Sequence, residues 1–221
     1  MFSGGNKPAT YFTHIRYDLL PYIPRHERGR LLEAGCASGN TLCHLKKEGY
    51  AAEVYGTDLE SIPDSNQQST LINQFIQADL SDLSLPFAAA FFDTLICADI
   101  LEHLKDPWTT LRYLGTLLKP GGILITSIPN IRNEQVILPL LLKGRFTYGN
   151  SGVLDRTHLR FFCLPEMREL VEQAGFQIEL VRPSFVTCPL QPKRKFINRL
   201  SFGVFSDFLA QQYIIKAVKM P

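Results

Sequence analysis

Glu33-Ala-Gly-Cys-Ala-Ser-Gly39, followed by Asn40, is the part of this 221-residue chain whose residue types point most directly to ligand chemistry. Small residues at Gly35, Ala37 and Gly39 let a ligand approach the backbone closely. A helix beginning just beyond them aims its positive end at an anion. Asp58 closes the next apolar run, Val54-Tyr-Gly-Thr57, and a carboxylate there can accept two hydrogen bonds from a ribose diol. Turn and acid together describe a nucleoside site; the plainer alternative is a tight turn followed by a surface aspartate. The dinucleotide fingerprint GxGxxG is a poor fit, because Asn40 stands where glycine or alanine is needed and position 37 is alanine.

These residues meet only if alternating strands and helices carry them to one edge of a sheet. Leu31-Leu32 leads into the glycine turn as a buried first strand. Thr41 to Glu48 reads as a helix with Leu42 and Leu45 on one face and Gly49 as its stop. Glu53–Thr57, Gln74–Gln77, Phe92–Ala98 and Gly122–Ile128 read as further strands. Between the last two, Asp106 is an N-cap and Pro107 suits the first helical position. Leu111, Leu114 and Leu118 form the stripe of that helix, and Pro120-Gly121 ends it. Pro165 to Ala174 repeats apolar residues at Met167, Leu170, Val171 and Ala174. Phe176–Val181 and Tyr213–Val218 complete the series.

The pattern predicts an α/β fold: a Rossmann-like, doubly wound, mostly parallel seven-stranded sheet in a single domain spanning 1–221. Two long connections, 130–163 and 182–211, interrupt it and are predicted to form a cap over the carboxyl ends of the strands, where ligands bind.

Composition narrows the function class. With 45% hydrophobic and 20% charged residues the chain is globular rather than disordered. The net charge of +2 argues against a nucleic-acid partner. Residues 1–130 carry 10 basic and 14 acidic side chains and residues 131–221 carry 13 and 7, so the cap regions hold the basic excess. Five cysteines without CxxC spacing (Cys36, Cys43, Cys97, Cys163, Cys188) suggest reduced thiols and a cytoplasmic setting, not a zinc or disulfide framework. The opening MFSGGNKPAT has no apolar signal-peptide core. The apolar run Val136-Ile-Leu-Pro-Leu-Leu-Leu142 is too short to span a bilayer.

Several motifs in order give the chain a family resemblance. Glu33-Ala-Gly-Cys-Ala-Ser-Gly39, Asp58, Ala78-Asp79, Phe92-Asp-Thr-Leu-Ile-Cys-Ala-Asp99, Leu101-Glu-His-Leu104, Leu118-Lys-Pro-Gly-Gly122 and Ser127-Ile-Pro-Asn130 resemble the class I S-adenosylmethionine-dependent methyltransferases over about residues 30–181. Ala37 departs from the glycine often found there. Asp155-Arg-Thr-His-Leu-Arg-Phe-Phe162 resembles the ubiquinone-biosynthesis-type members, and more closely those associated with glycosyltransferases and polysaccharide modification.

The resemblance implies S-adenosyl-L-methionine as cofactor, with S-adenosyl-L-homocysteine as product. Glu33 and Gly35, in the turn with Ala37 and Gly39, would line its methionine end. Asp58 would hold the ribose, with Leu59 against the adenine. Asp79 would receive the adenine amino group beside Leu80, and Ala98 and Asp99 would lie near the sulfonium. Tyr11, Arg16 and Tyr17 are candidates to close over the cofactor carboxylate, or form an amphipathic helix that only packs on the sheet.

Methyl transfer from a sulfonium to a hydroxyl requires in-line placement and loss of the hydroxyl proton. Histidine suits that proton, and His103 and His158 are the candidate catalytic bases, with Asp155 as an orienting partner; a structural role is the alternative for both. His44 is expected to point away from the methyl, and His14 and His26 lie outside the motifs. No His/Asp/Glu spacing implies a metal.

The leading expectation is O-methylation of a small sugar or glycan-related acceptor. The alternatives are a quinone-precursor O-methyltransferase, a non-catalytic cofactor-binding module and a nicotinamide-binding fold. Residues 193–209, basic and aromatic, are either an extra helix packed on the cap or a contact for a membrane or lipid-linked substrate.

Overall fold

Leu31 and Leu32, neighbours in the first strand, bury in two different apolar clusters, as the two-residue period of a strand dictates. The computed structural model describes residues 14–185, 191–200 and 203–221. Tyr11, Cys188 and the opening segment of the sequence reading lie outside them.

Seven strands form the sheet: β1 (His26–Ala34), β2 (Ala51–Asp58), β3 (Gln74–Gln77), β4 (Phe92–Ala98), β5 (Leu118–Pro129), β6 (Phe176–Ser184) and β7 (Gln212–Lys219). Their order is β3-β2-β1-β4-β5-β7-β6. The first five pair in parallel, and β7 runs antiparallel between β5 and β6. This is the open, mostly parallel, Rossmann-like sheet that the alternation predicts.

The helices are α1 (Asn40–Lys47), α2 (Pro107–Leu117), α3 (Glu134–Lys143), α4 (Leu164–Gln173), α5 (Gln191–Leu200) and the single turn α6 (Ser206–Leu209). One apolar cluster joins Leu32, Leu95 and Leu124 of the sheet to Leu111 and Leu114 of α2 and to Met167, Leu170 and Val171 of α4. The other joins Leu31, Val54, Ile96 and Ile125 to Leu42 and Leu45 of α1. Each such fully buried leucine contributes about 1.5–3 kcal/mol, so the strands are covered on both faces.

The α2 start is as expected: Asp106 accepts a hydrogen bond from the Thr109 amide at 3.0 Å, and Pro107 occupies the first turn. Its end is not. Leu118, read as the last residue of the helical stripe, begins β5 opposite Phe92, and Pro120-Gly121 lies inside an irregular stretch of that strand. Apolar burial is satisfied in either conformation, so the stripe did not distinguish them.

A second difference is α3, inside the segment expected to be a connection. Its apolar run lacks a polar face and contains Pro139, which removes a helical N–H. Its ends are nonetheless specified. The Asn133 side chain accepts from the Gln135 amide at 3.1 Å, and Gly144 closes it in the left-handed conformation. Of its residues only Val136 is buried.

The segment 182–211 likewise begins as the end of β6 rather than as a loop. The two cap segments are clamped together by buried amides. Asn130 Nδ2 donates to the carbonyls of Asp207 (2.8 Å) and Ala210 (3.0 Å), and Asn133 Nδ2 to those of Leu209 (3.2 Å) and Ala210 (3.1 Å). Among the described residues no helix is long and apolar enough to cross a membrane.

Asn133→Leu keeps the side-chain size but removes the donor to the Leu209 and Ala210 carbonyls and the acceptor for the Gln135 amide. It is expected to destabilise the protein by about 1–3 kcal/mol, measured by urea denaturation. A change near zero would show that the clamp contributes nothing.

Candidate functional site

The strand order reverses between β1 and β4, and in an open α/β sheet that is where a crevice forms beyond the carboxyl ends. A cavity of about 690 Å³ lies there, walled by the ends of β1 and β4, the first described residues and the cap. Its size falls within the usual range for small-molecule sites.

The turn after β1 makes the floor. Gly35 has φ of 76°, and its amide donates to the Thr57 carbonyl at 2.8 Å. A Cβ on Gly35 would stand 3.0 Å from Ile100, and one on Gly39 would stand 3.1 Å from the backbone of Asn66. Both positions therefore need glycine for space as well as for φ. Ala37 adopts φ of 47° without that freedom. It is held by its amide, which donates to Asp58 Oδ2 at 2.8 Å, and by its carbonyl, which accepts from Gln67 Nε2 at 2.6 Å. Burial raises the Asp58 pKa, and the amides of Glu60 and Ala37 work against that rise.

Four carboxylates line the cavity: Asp18, Glu33, Asp99 and Glu102. Arg16 faces them. Its Nη1 donates to Asp99 Oδ2 at 2.5 Å, its Nη2 to Ser127 Oγ at 3.1 Å, and Nε and Nη2 both reach Asp18 at 2.9 Å. Burial opposes the Arg16 charge, but Asp99 and Asp18 outweigh it and hold its pKa above the ordinary value. Asp99 Oδ1 also accepts from Gln212 Nε2 (2.7 Å) and Ser127 Oγ (3.1 Å). Glu33 is only 3% exposed, and its Oε2 has no hydrogen-bond partner among the described residues. Burial pushes its carboxyl up to about 8, with Arg16 pulling down and Asp58 pushing up.

The Asp155–Phe162 segment folds the cap back onto β4. Asp155 Oδ1 accepts from the Thr157 amide (2.9 Å) and hydroxyl (2.7 Å), making a turn. The amides of Leu159 and Arg160 both donate to the Glu102 carbonyl, at 2.8 and 3.0 Å. His158 is thereby buried in the cavity wall, with its Nδ1 on the Val153 carbonyl at 2.9 Å and its Nε2 3.9 Å from Glu102 Oε1. Glu102 is a carboxylate facing His158, and Asp155, expected to orient it, accepts through Oδ1 within its own turn. His103 does not line the cavity. Its Nδ1 meets the Thr157 carbonyl at 3.1 Å, and its ring packs edge-on to His158 with centroids 4.7 Å apart.

Ala98 lines the cavity with Asp99. Asp58, Leu59, Asp79 and Leu80 sit at the ends of β2 and β3, outside its wall. Leu59 is exposed, Asp79 accepts from the Ser81 amide at 2.8 Å, and Leu80 is buried. Tyr17 is exposed and packs its edge on His44 of α1. Residues absent from the sequence reading also line the cavity: Gln135, Ser151, Gln211 and Gln212, with His14, which had been set outside the motifs. No local signal marks them: Gln135 arrives on α3, Gln211 and Gln212 at the start of β7, Ser151 from the cap segment and His14 from ahead of β1. Within 193–209, Arg194 turns inward to pair with Glu134 of α3, while Phe196, Leu200, Val204 and Phe205 are exposed.

A family described as a methyltransferase domain matches residues 9–181. The chain is similar to ubiquinone biosynthesis O-methyltransferases. It is 27% identical to that of Coxiella burnetii over 182 residues, covering 80% of this chain and 75% of that protein. It is 26% identical to that of Chromobacterium violaceum over 181 residues, covering 78% and 75%. To that of Aeromonas salmonicida it is 25% identical, covering 67% of this chain and 63% of the relative's length. A SAM-dependent methyltransferase from Archaeoglobus fulgidus has the same fold, with a TM-score of 0.62 at 19% identity over 91% of each chain. So does 1,6-didemethyltoxoflavin-N1-methyltransferase from Burkholderia thailandensis, solved with S-adenosylhomocysteine, at 0.57 and 19% over 88% of this chain and 72% of that one.

A carboxyl raised from about 4.3 in the unfolded chain to about 8 when folded contributes stability that is fully present below the lower value. That contribution is lost as pH rises through the upper one. Glu33→Gln keeps the shape without ionising, so its stability relative to the parent is expected to rise between about pH 4 and pH 8. Urea midpoints across that range test this; a gap independent of pH contradicts it.

Proposed function

Because this chain belongs to the class I S-adenosylmethionine-dependent methyltransferases, we propose that it methylates a hydroxyl oxygen of a small, hydroxyl-rich acceptor of the sugar or glycan-related class. The cofactor is S-adenosylmethionine. The chain fits it: a side chain at Gly35 would press on Ile100, and Glu33 presents a buried carboxylate oxygen without a partner among the described residues. In this reading Glu33 and Arg16 hold the amino-acid end, Asp58 the ribose, and Leu59, Asp79 and Leu80 the adenine, with Ala98 and Asp99 near the sulfur. When bound, the cofactor supplies a methyl group carried on a positively charged sulfur.

The chain's own part is to hold an acceptor oxygen in line with that methyl and to receive the oxygen's proton. The observation that carries the acceptor class is the wall beyond Asp99. Gln135, Ser151, His158, Gln211 and Gln212 present amides, a hydroxyl and an imidazole to the cavity, groups suited to fixing several hydroxyls at once. The buried Glu102–His158 pair on the same wall is where the proton goes.

The quinone-precursor reading has its own support in the names of the relatives, which are 25–27% identical. A catechol hydroxyl is more acidic than a sugar hydroxyl and needs less help in losing its proton. The two readings therefore separate on one variant. His158→Ala is expected to lower methyl transfer to a sugar acceptor by about 10²–10⁴-fold while calorimetry still detects S-adenosylhomocysteine binding. The assay runs a panel of free and nucleotide-linked sugars beside catechols with radiolabelled cofactor. Turnover of catechols alone, little changed in the variant, overturns the sugar reading; no turnover with any acceptor points to a binding module.

A further inference from the structure

A smaller cavity, of about 250 Å³, adjoins the first. The two share Gln135 at the start of α3, and consecutive cap residues line both: Ser151, Gly152 and Val153 the larger, Leu154 the smaller. The smaller volume lies below the usual range for a whole small-molecule site. It suits one group of a ligand whose remainder occupies the larger cavity.

Two cations line this smaller cavity, Lys143 and Arg145, together with Thr147 and an apolar side made by Val136, Pro139 and Leu154. Among the described residues no acidic side chain lines it. Between Gln135 and Leu154 these two cations are the only charged residues in the sequence. Gly144, left-handed with φ of 60°, turns the chain between them, and both side chains reach the same cavity. Neither forms a side-chain ion pair or hydrogen bond among the described residues.

Part of this charge answers the end of α3, because cations suit the carbonyl end of a helix dipole. That need is already partly met: the amides of Gly144 and Arg145 donate to the Leu140 and Pro139 carbonyls at 3.0 and 3.1 Å. What remains is two like charges facing one space, and these repel. An anion between them removes the repulsion and gains charge-assisted hydrogen bonds. A guanidinium fork, an ammonium and a hydroxyl together supply donors for the several oxygens of a phosphate.

We propose that Lys143, Arg145 and Thr147 form a subsite for a phosphate or diphosphate carried by the acceptor. The inference deepens the sugar reading and rests on it for its role. The hydroxyl to be methylated lies in the larger cavity, and the phosphate ester of the same sugar passes Gln135 into the smaller one. Free sugars lack that anchor and are poorer acceptors than their phosphates. A nucleotide and a lipid are the two carriers that present this phosphate chemistry.

The test titrates inorganic pyrophosphate into the full chain saturated with S-adenosylhomocysteine, by calorimetry at low salt, where exposed charges are least screened. The expected result is one pyrophosphate per chain. Lys143→Gln and Arg145→Gln are each expected to weaken its binding by about tenfold or more. Both side chains are exposed, and persisting S-adenosylhomocysteine binding shows that the variants are folded. Absence of pyrophosphate binding in the parent overturns the proposal, and so does unchanged affinity in either variant. Uridine diphosphate and geranyl phosphate then compete with pyrophosphate, and the stronger competitor identifies the carrier as nucleotide or lipid. Methylation of free sugars without pyrophosphate binding sinks the subsite alone. Pyrophosphate binding that the variants lose, without methylation of any sugar phosphate, sinks only the reading on which its role rests.

Discussion

A group of carboxyls at the tips of β1 and β4, two of them buried, is the constraint around which the rest of the molecule is organised. Glu33, Asp99 and Glu102 lie within one crevice, and Arg16 supplies the guanidinium that faces them. Carboxylates out of water are costly unless paired or neutralised. Asp99 is the best served, with Arg16, Ser127 and Gln212 on its oxygens. Glu33 and Glu102 keep unpartnered oxygens among the described residues, and burial raises both their pKa values. Buried, unpartnered groups with raised pKa values of this kind are characteristic of ligand sites.

The cap belongs to the same problem. Its return segment closes over the crevice by giving two amides to the Glu102 carbonyl and by burying His158 against the Glu102 side chain. The carboxylate is thus sealed from bulk water by backbone hydrogen bonds that leave its side-chain oxygens unpaired. On the other flank, β7 enters antiparallel between β5 and β6, so that its first residue, Gln212, arrives at Asp99. The Asn130 and Asn133 amides tie α6 to the start of the cap.

Much of the fold was legible because local chemistry and burial agreed. Asp106-Pro107 opened α2, the stripe on α4 matched its buried face, and the glycine turn followed by Asp58 lay where strand, turn and strand require it. Where two conformations bury the same residue equally well, legibility failed: Leu118 packs inward as the first residue of β5 as readily as it would at the end of a helix. Helix α3 was hidden because its leucines face outward all round and its caps, Asn133 and Gly144, lie outside the apolar run. At the site, His158 was visible as a titratable residue in a distinctive segment. The approach of Glu102 to it was not, because those two residues are near only in space.

By itself the sequence determined the sheet, the glycine turn and the acids at the strand ends, since these depend on residues a few positions apart whose conformational preferences reinforce one another. Only the tertiary structure decided which charges face each other. The pairing of Arg16 with Asp99, the arrival of Gln212, and the gathering of Glu102, His103 and His158 all join segments separated by strand order. Coulomb energy and desolvation depend on distance in space, which no spacing along the chain specifies.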